Sequence, residues 1–436
     1  MKKLFVSMGL AAASVASVQL TQAADGSDGA NGVDSKSWSV SATLRGFYDD
    51  NYNTAPSGSQ KKGSWGFEVS PQVSASVPLR QTDLGIRYVY GLYYYQERDQ
   101  EGVNPIDQSH DVDLWVDHAF TESWHARVDD SLIVSQEPQL SQGNNSGTYQ
   151  RTKQDSINNT GSVTLTTDWT QELSTELGYQ NGLYLYGNDA ASLGGPSNGA
   201  TLSALLDRQE HNAHFNLDWI VSPHTTYFAG YRFGWLDYSG NGNINTLANP
   251  VYSKTRDNRN HTGYVGADVD LLANLRFEGQ AGIQYFDYYN SATTTSSSES
   301  EVDPYADVSL TYTYLPGSYL QLGFTEKQIA TDVAGVNGNG QVTQGEQAST
   351  IYGSINQKIT SKLTGSLIGS YQYGTFSKGQ SNGEVDNFYG LGVNLTYAFN
   401  RHFSAEVGYN YDDLNSNIAD RGYSRNRVYL GVTAAY

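Results

Sequence analysis

The sequence contains no cysteine. That excludes structural disulfides, thiolate-bound metal and a cysteine nucleophile. Charge is scarce as well, with 16% charged residues, and acids so outnumber bases that the formal net charge is -19. Nucleic-acid binding needs clustered Lys and Arg against phosphate, so no nucleic-acid partner is expected. Past the N-terminus no apolar run is long enough for a transmembrane helix. Mean hydropathy is -0.52. A membrane β-barrel hides its apolar surface by alternation, so that low average still permits a membrane home. What the chain does have is tyrosine, 33 residues, and glycine, 45.

The N-terminus indicates the compartment. Met1-Lys2-Lys3 is a basic head, Leu4 to Val18 a run of apolar and small residues, and Thr21-Gln22-Ala23 ends in a small-x-small pattern. Residues 1–23 therefore predict a secretory signal peptide cut before Ala24, and the lack of cysteine after the cut excludes a lipid anchor. The Gly-, Ser- and Asp-rich stretch 24–37 reads as a flexible lead-in, and residues 38–436 as one transmembrane β-barrel.

Alternation carries that reading. Trp38, Val40, Ala42 and Leu44 face one way and Ser39, Ser41, Thr43 and Arg45 the other. The same period runs from Trp65 to Val77 and from Leu84 to Tyr94, and it continues to the last residues. There Val428, Leu430, Val432, Ala434 and Tyr436 share a face opposite Arg427, Tyr429, Gly431, Thr433 and Ala435. A terminal strand ending on an aromatic residue resembles the one that outer-membrane barrels present to the barrel-assembly machinery. Pro71, which cannot donate to a ladder, predicts a bulge or weakened pairing. Asp130 falls out of the alternation and predicts a bulge too.

Two kinds of connection alternate. Short ones lie at Pro78–Gln81, Thr121–Ser123, Trp169–Gln171, Ser222–His224, Leu272–Ala273, Pro316–Ser318, Ser361 and Asn400–Arg401. Long polar ones lie near Asn51–Lys62, Arg98–Gln108, Gln136–Lys153, Gly187–Leu205, Ser239–Thr255, Asn290–Ser300, Thr331–Glu346, Ser377–Gly383 and Asp413–Arg421. Eight short and nine long connections join about eighteen antiparallel strands in up-and-down order. Short turns then mark the periplasmic rim and long loops the extracellular one. Aromatic residues gather beside both sets, among them Tyr93 to Tyr95 and Tyr288-Tyr289 near loops, and Trp124, Trp169 and Trp219 near turns. Such belts fit the two interfaces of a bilayer.

Three short segments, Leu44-Arg45-Gly46-Phe47-Tyr48-Asp49-Asp50-Asn51-Tyr52, Val69-Ser70-Pro71 and Val77-Pro78-Leu79, resemble the outer-membrane β-barrel porin family that is similar to barrel proteins of exopolysaccharide operons. The resemblance implies an outer-membrane barrel. It implies no catalytic residue.

A barrel of this size has a lumen too wide for its own side chains to fill. Charges cost least on the lumen side, so the inward register supplies the pore-lining candidates. These are Arg45, Glu68, Arg87, Asp113, Asp117, Arg127, Arg232, Asp268, Arg276, Glu278, Glu406 and Arg427; Asp111, Asp129, Asp218, Asp270 and Asp307 share the register. The eight histidines are scattered, and His211 and His214 project to opposite strand faces, a poor metal pair. No metal, cofactor or catalytic constellation is expected. Gly335 to Glu346 approaches a calcium-loop pattern, but Gly335 occupies the first ligand position, which favours an Asn/Gly loop.

The function expected is passive diffusion of small hydrophilic solutes, narrowed by Gln136–Lys153 or Gly187–Leu205 folding inward, with a mild cation preference from the excess of acids. Outer-membrane lipid, lipopolysaccharide and the assembly machinery are the expected partners. The alternatives are export or docking of a polysaccharide, whose rings would stack on aromatic side chains, and a structural or adhesive barrel with a closed lumen.

Overall fold

The computed structural model describes residues 37–57, 61–140, 145–187, 200–239, 242–245, 249–291 and 299–436. The expected signal peptide and nearly all of the lead-in lie outside the described residues. Every strand the alternation outlines is present. They are β1 (Trp38–Asp49), β2 (Ser64–Pro78), β3 (Thr82–Tyr95), β4 (Ile106–Ala119), β5 (Trp124–Ser135), β6 (Ser156–Asp168), β7 (Leu173–Leu185), β8 (Arg208–Ser222) and β9 (Thr225–Asp237). After them come β10 (Asn258–Leu272), β11 (Leu275–Tyr288), β12 (Glu299–Leu315), β13 (Ser318–Ile329), β14 (Gly345–Lys358), β15 (Leu363–Ser377), β16 (Val385–Asn400), β17 (Phe403–Ser416) and β18 (Tyr423–Ala435).

Each strand pairs antiparallel with its neighbour in sequence, and β1 pairs with β18 from Ser41–Ala435 to Asp49–Arg427. The sheet therefore closes into one eighteen-stranded barrel with no free edge. The short connections all fall where the sequence puts them. The last long loop is shorter than expected, because β17 continues to Ser416 before the chain turns.

Period-2 alternation sends the two sets of side chains to opposite sides of the wall. Val265 and Leu430, on the outer set, are 65% and 66% exposed, whereas inward Arg45 is 7% exposed. An exposed apolar exterior around a polar interior inverts a soluble protein and matches a barrel solvated by lipid. The outer face also carries three Tyr–His pairs near its long-loop end. Tyr88, Tyr179 and Tyr231 meet the Nδ1 of His110, His211 and His261 at 2.9, 2.7 and 2.6 Å.

The expectation for Pro71 holds in its milder form. The β2–β3 ladder skips Ser70 and Pro71 and resumes in the same register, as loss of one N–H donor requires. The bulge expected at Asp130 is absent. β5 keeps unbroken register with both neighbours, so Asp130 lies on the outer face, where it accepts from the Nδ2 of Asn159 at 3.2 Å. Gly161 pairs with Asp130 across the ladder and leaves room for this carboxylate. The register shifts that do occur lie at short-turn ends, as between Asp270 and Leu272 or Thr313 and Leu315.

Candidate functional site

Ion pairs organise the inner wall. Arg45 on β1 donates through Nε to Glu406 on β17 at 2.6 Å and through Nη1 to Glu68 on β2 at 3.0 Å. Arg45 and Glu68 are direct register partners, so the sheet itself fixes this bridge. Arg87 bridges Asp111 and Asp113, both at 2.8 Å, along the facing strand β4. Arg127 holds Asp129, and Arg276 holds Glu278, each at 2.6 Å and each two residues along its own strand. Arg427 reaches Asp49 at 3.2 Å across the β1–β18 seam.

Three candidates stand apart. Arg232 lies over the rings of Tyr264 and Tyr305, 5.5 and 5.3 Å from their centroids, a cation–π setting. Asp117 is register partner to Arg127, yet the guanidinium turns to Asp129. Asp268 faces Glu278 across the ladder. Among the described residues, neither Asp117 nor Asp268 forms an ion pair, and the same is true of inward Asp218.

On either side of residues 141–144, which lie outside the described residues, the connection between β5 and β6 reaches distant strands of the wall. Glu137 meets Arg425 at 2.7 Å, and Arg151 pairs with Asp107. Burial alone would raise the Glu137 carboxyl, but Arg425 and Arg427 outweigh it and hold it below its ordinary value. Farther along, Tyr149 is fully buried against Phe388, Leu414 and Tyr423, and its hydroxyl donates to Glu346 at 2.6 Å. Asn145 is held by Lys327 on β13 at 2.7 Å and by Arg208 on β8 at 3.1 Å. Anchors on β4, β8, β13, β14 and β18 thus fasten one loop to widely separated parts of the wall. This is the first of the two loops expected to fold inward. The second lies largely outside the described residues, but Leu202, Leu205 and Leu206 at its end pack with Ile244, Ala334 and Val342 from two other loops.

Buried arginines tie these loops together. Arg256 donates to the carbonyls of Leu205 and Thr331 at 3.0 and 2.8 Å. Arg421 lies between Asp332 and Asp386 at 2.8 and 2.7 Å. The calcium-like stretch is likewise a protein-held turn. The Asn337 Oδ1 accepts the N–H groups of Asn339 and Gln341 at 3.0 Å, while Glu346 belongs to Tyr149.

Sequence reasoning missed this whole set of loop anchors. Arg425 could have been found, since it shares a face with Arg427 two residues away. Nothing local marks Tyr149, Arg151 or Arg421, whose partners lie tens to hundreds of residues off.

Residues 37–436 match the family model described as "Putative beta-barrel porin 2". The chain belongs to this family. It is accordingly a porin-like barrel of the bacterial outer membrane, with lipid and lipopolysaccharide against its outer face, and its family is one of channels rather than enzymes. Among solved structures, the chain is similar to OccAB4 of Acinetobacter baumannii, at 13% identity over 92% of this chain and 99% of that one, with a TM-score of 0.43. It is similar also to OpdQ of Pseudomonas aeruginosa, at 11% identity over 91% and 98% with a TM-score of 0.45. For outer-membrane protein opdK of the same organism the values are 9%, 92%, 99% and 0.44. A search of curated protein sequences finds no match.

Proposed function

We propose that this porin-like barrel is a passive diffusion channel for small hydrophilic solutes, narrowed by the loop 136–155 and mildly selective for cations. The observation that carries the selectivity is an asymmetry on the inner wall. Arg45, Arg87, Arg127 and Arg276 are each paired with acids, whereas Asp117, Asp218 and Asp268, toward the short-turn mouth, have no ion-pair partner among the described residues. Uncompensated carboxylates in a low-dielectric wall concentrate cations at the entrance.

In this reading the twelve candidate charges line the route, Arg45, Glu68 and Glu406 bracing its middle and Arg427 anchoring the constriction. The signal peptide is removed during export. The strand Val428–Tyr436, whose outer set ends on an aromatic residue, is the segment offered to the assembly machinery.

Single-channel recording of the refolded full-length protein in a planar bilayer under a salt gradient tests the function. Stepwise, long-lived openings with a cation-selective reversal potential are expected. A correctly inserted but silent barrel would overturn the channel reading and turn attention to polysaccharide export or a structural role. Anion selectivity would overturn the charge argument alone.

A further inference from the structure

A cavity of about 240 Å³ lies between residues 137–140 and the wall formed by β1–β5 and β15–β18. Its lining holds four carboxylates, Glu68, Asp111, Glu137 and Asp412, and three guanidiniums, Arg45, Arg425 and Arg427. Three of the acids are engaged: Glu68 by Arg45, Asp111 by Arg87 and Glu137 by Arg425. Asp412 is not. It is register partner to Arg425, but that guanidinium spends its N–H groups on Asp49 and Glu137. Two residues along the same face, the Oδ1 of Asn410 is buried with no hydrogen-bond partner among the described residues.

The neighbouring strand leaves space beside both groups. The register partners of Asp412 and Asn410 on β16 are Gly390 and Gly392, and both glycines line the cavity. A Cβ at Gly390 would stand 2.8 Å from the Ser370 Oγ and 3.3 Å from the Phe388 ring, so any larger residue would intrude on this niche. Phe388 and Tyr423 supply aromatic walls. The niche thus presents two acceptors that nothing among the described residues satisfies, an aromatic lining, and one carboxylate, Asp412, with no ion-pair partner among those residues. An unsatisfied buried acceptor such as the Asn410 Oδ1 is costly, and a ligand that supplies donors recovers that cost.

We infer that Asp412 and Asn410 form a binding site for the ammonium group of a small organic amine. An ammonium has three donors and no acceptor, which complements a carboxylate beside a free amide oxygen, and its charge cancels that of the unpaired carboxylate. Aromatic faces favour a cation further. A hydroxyl would satisfy the acceptors but leave the charge; a carboxylate would add to it. The inference rests on the channel reading for the solute's route, but binding itself does not depend on conductance.

The test is calorimetric titration of the refolded, detergent-solubilised full chain with n-butylammonium chloride at fixed ionic strength, with n-butanol and sodium butyrate as matched probes. Saturable binding of the amine alone is expected. Asp412→Asn should weaken it by about tenfold, the size of one charge-assisted contact, and Gly390→Val should abolish it. Among the described residues Asp412 bonds to no side chain, so Asp412→Asn should fold, and retained heat-modifiable electrophoretic mobility checks this for each variant. Equal binding of butanol or butyrate, or unchanged amine affinity in Asp412→Asn, overturns the assignment. A conducting protein that ignores the amine refutes the site and spares the channel; a silent one that binds it does the reverse.

Discussion

Arg421 shows what a single residue does at the roof of this barrel. Its guanidinium is 1% exposed, lies between two fully buried carboxylates, and has the rings of Tyr149 and Phe376 each 5.8 Å away. Burial alone would lower its pKa, but Asp332 and Asp386 more than reverse that and fix the charge. Replacing it by Met would leave two carboxylates facing each other without a counter-ion, a loss of about 3–5 kcal/mol for a broken buried pair. Because the wall is hydrogen-bonded independently of this contact, the loss should fall on the loops. Arg421→Met should expose the loop tips to limited proteolysis while heat-modifiable mobility persists. Loss of the folded barrel, or loops as resistant as before, would contradict that division. Asp130 teaches the opposite lesson at the same scale. Its charge looked out of phase in the sequence because an acid on the lipid-facing set is costly, yet Asn159 and Gly161 give it a local partner and space.

At the scale of an element, the loop 136–155 owes its position to charge pairs that respond to pH. The Glu137 carboxyl sits below its ordinary value in the folded loop, so it binds fewer protons there than when released. Its contribution is therefore complete above the ordinary carboxylate range and lost as pH falls through the lower, folded value. Acidification should raise current noise as the loop loosens, and Glu137→Gln should show that noise already at neutral pH. Equal noise in both proteins across the range would sink the pinning argument. Replacing residues 138–148 by a short glycine linker should raise unitary conductance about twofold or more, as removing a constriction does. Conductance unchanged by that deletion would mean that the narrow point lies elsewhere. The strands flanking this loop were legible in the sequence, because lipid outside and water inside force a strict alternation that survives with no alignment. The loop's path was not. Tyr149 meets Glu346 and Arg151 meets Asp107, contacts that leave no periodic trace and are chosen only once the wall has brought those partners together.

Across the whole molecule, the turn positions follow from the sequence pattern, and so does the closed topology. What pairs with what did not follow, since Arg127 and Arg276 prefer neighbours on their own strands to the residues opposite them. The resulting surplus of unpaired acids near one mouth can be measured globally. Asp117→Asn, Asp218→Asn and Asp268→Asn combined should move the reversal potential toward zero without closing the channel, each neutralisation contributing in the same direction. An unmoved potential would place the selectivity at the constriction instead.

The seam between β1 and β18 has a consequence for how such a chain comes to exist at all. Thr43 and Thr433 share a hydrogen bond although 390 residues separate them, so the first strand to emerge must wait for the last. Until Phe47 lies beside Tyr429, the sheet has two raw margins, each able to recruit any passing strand. Completion is thus a single act of zipping that no shorter piece of the wall can rehearse. A chain that has lost its final strand would differ from the whole less in stability than in kind: an open ribbon looking for a neighbour.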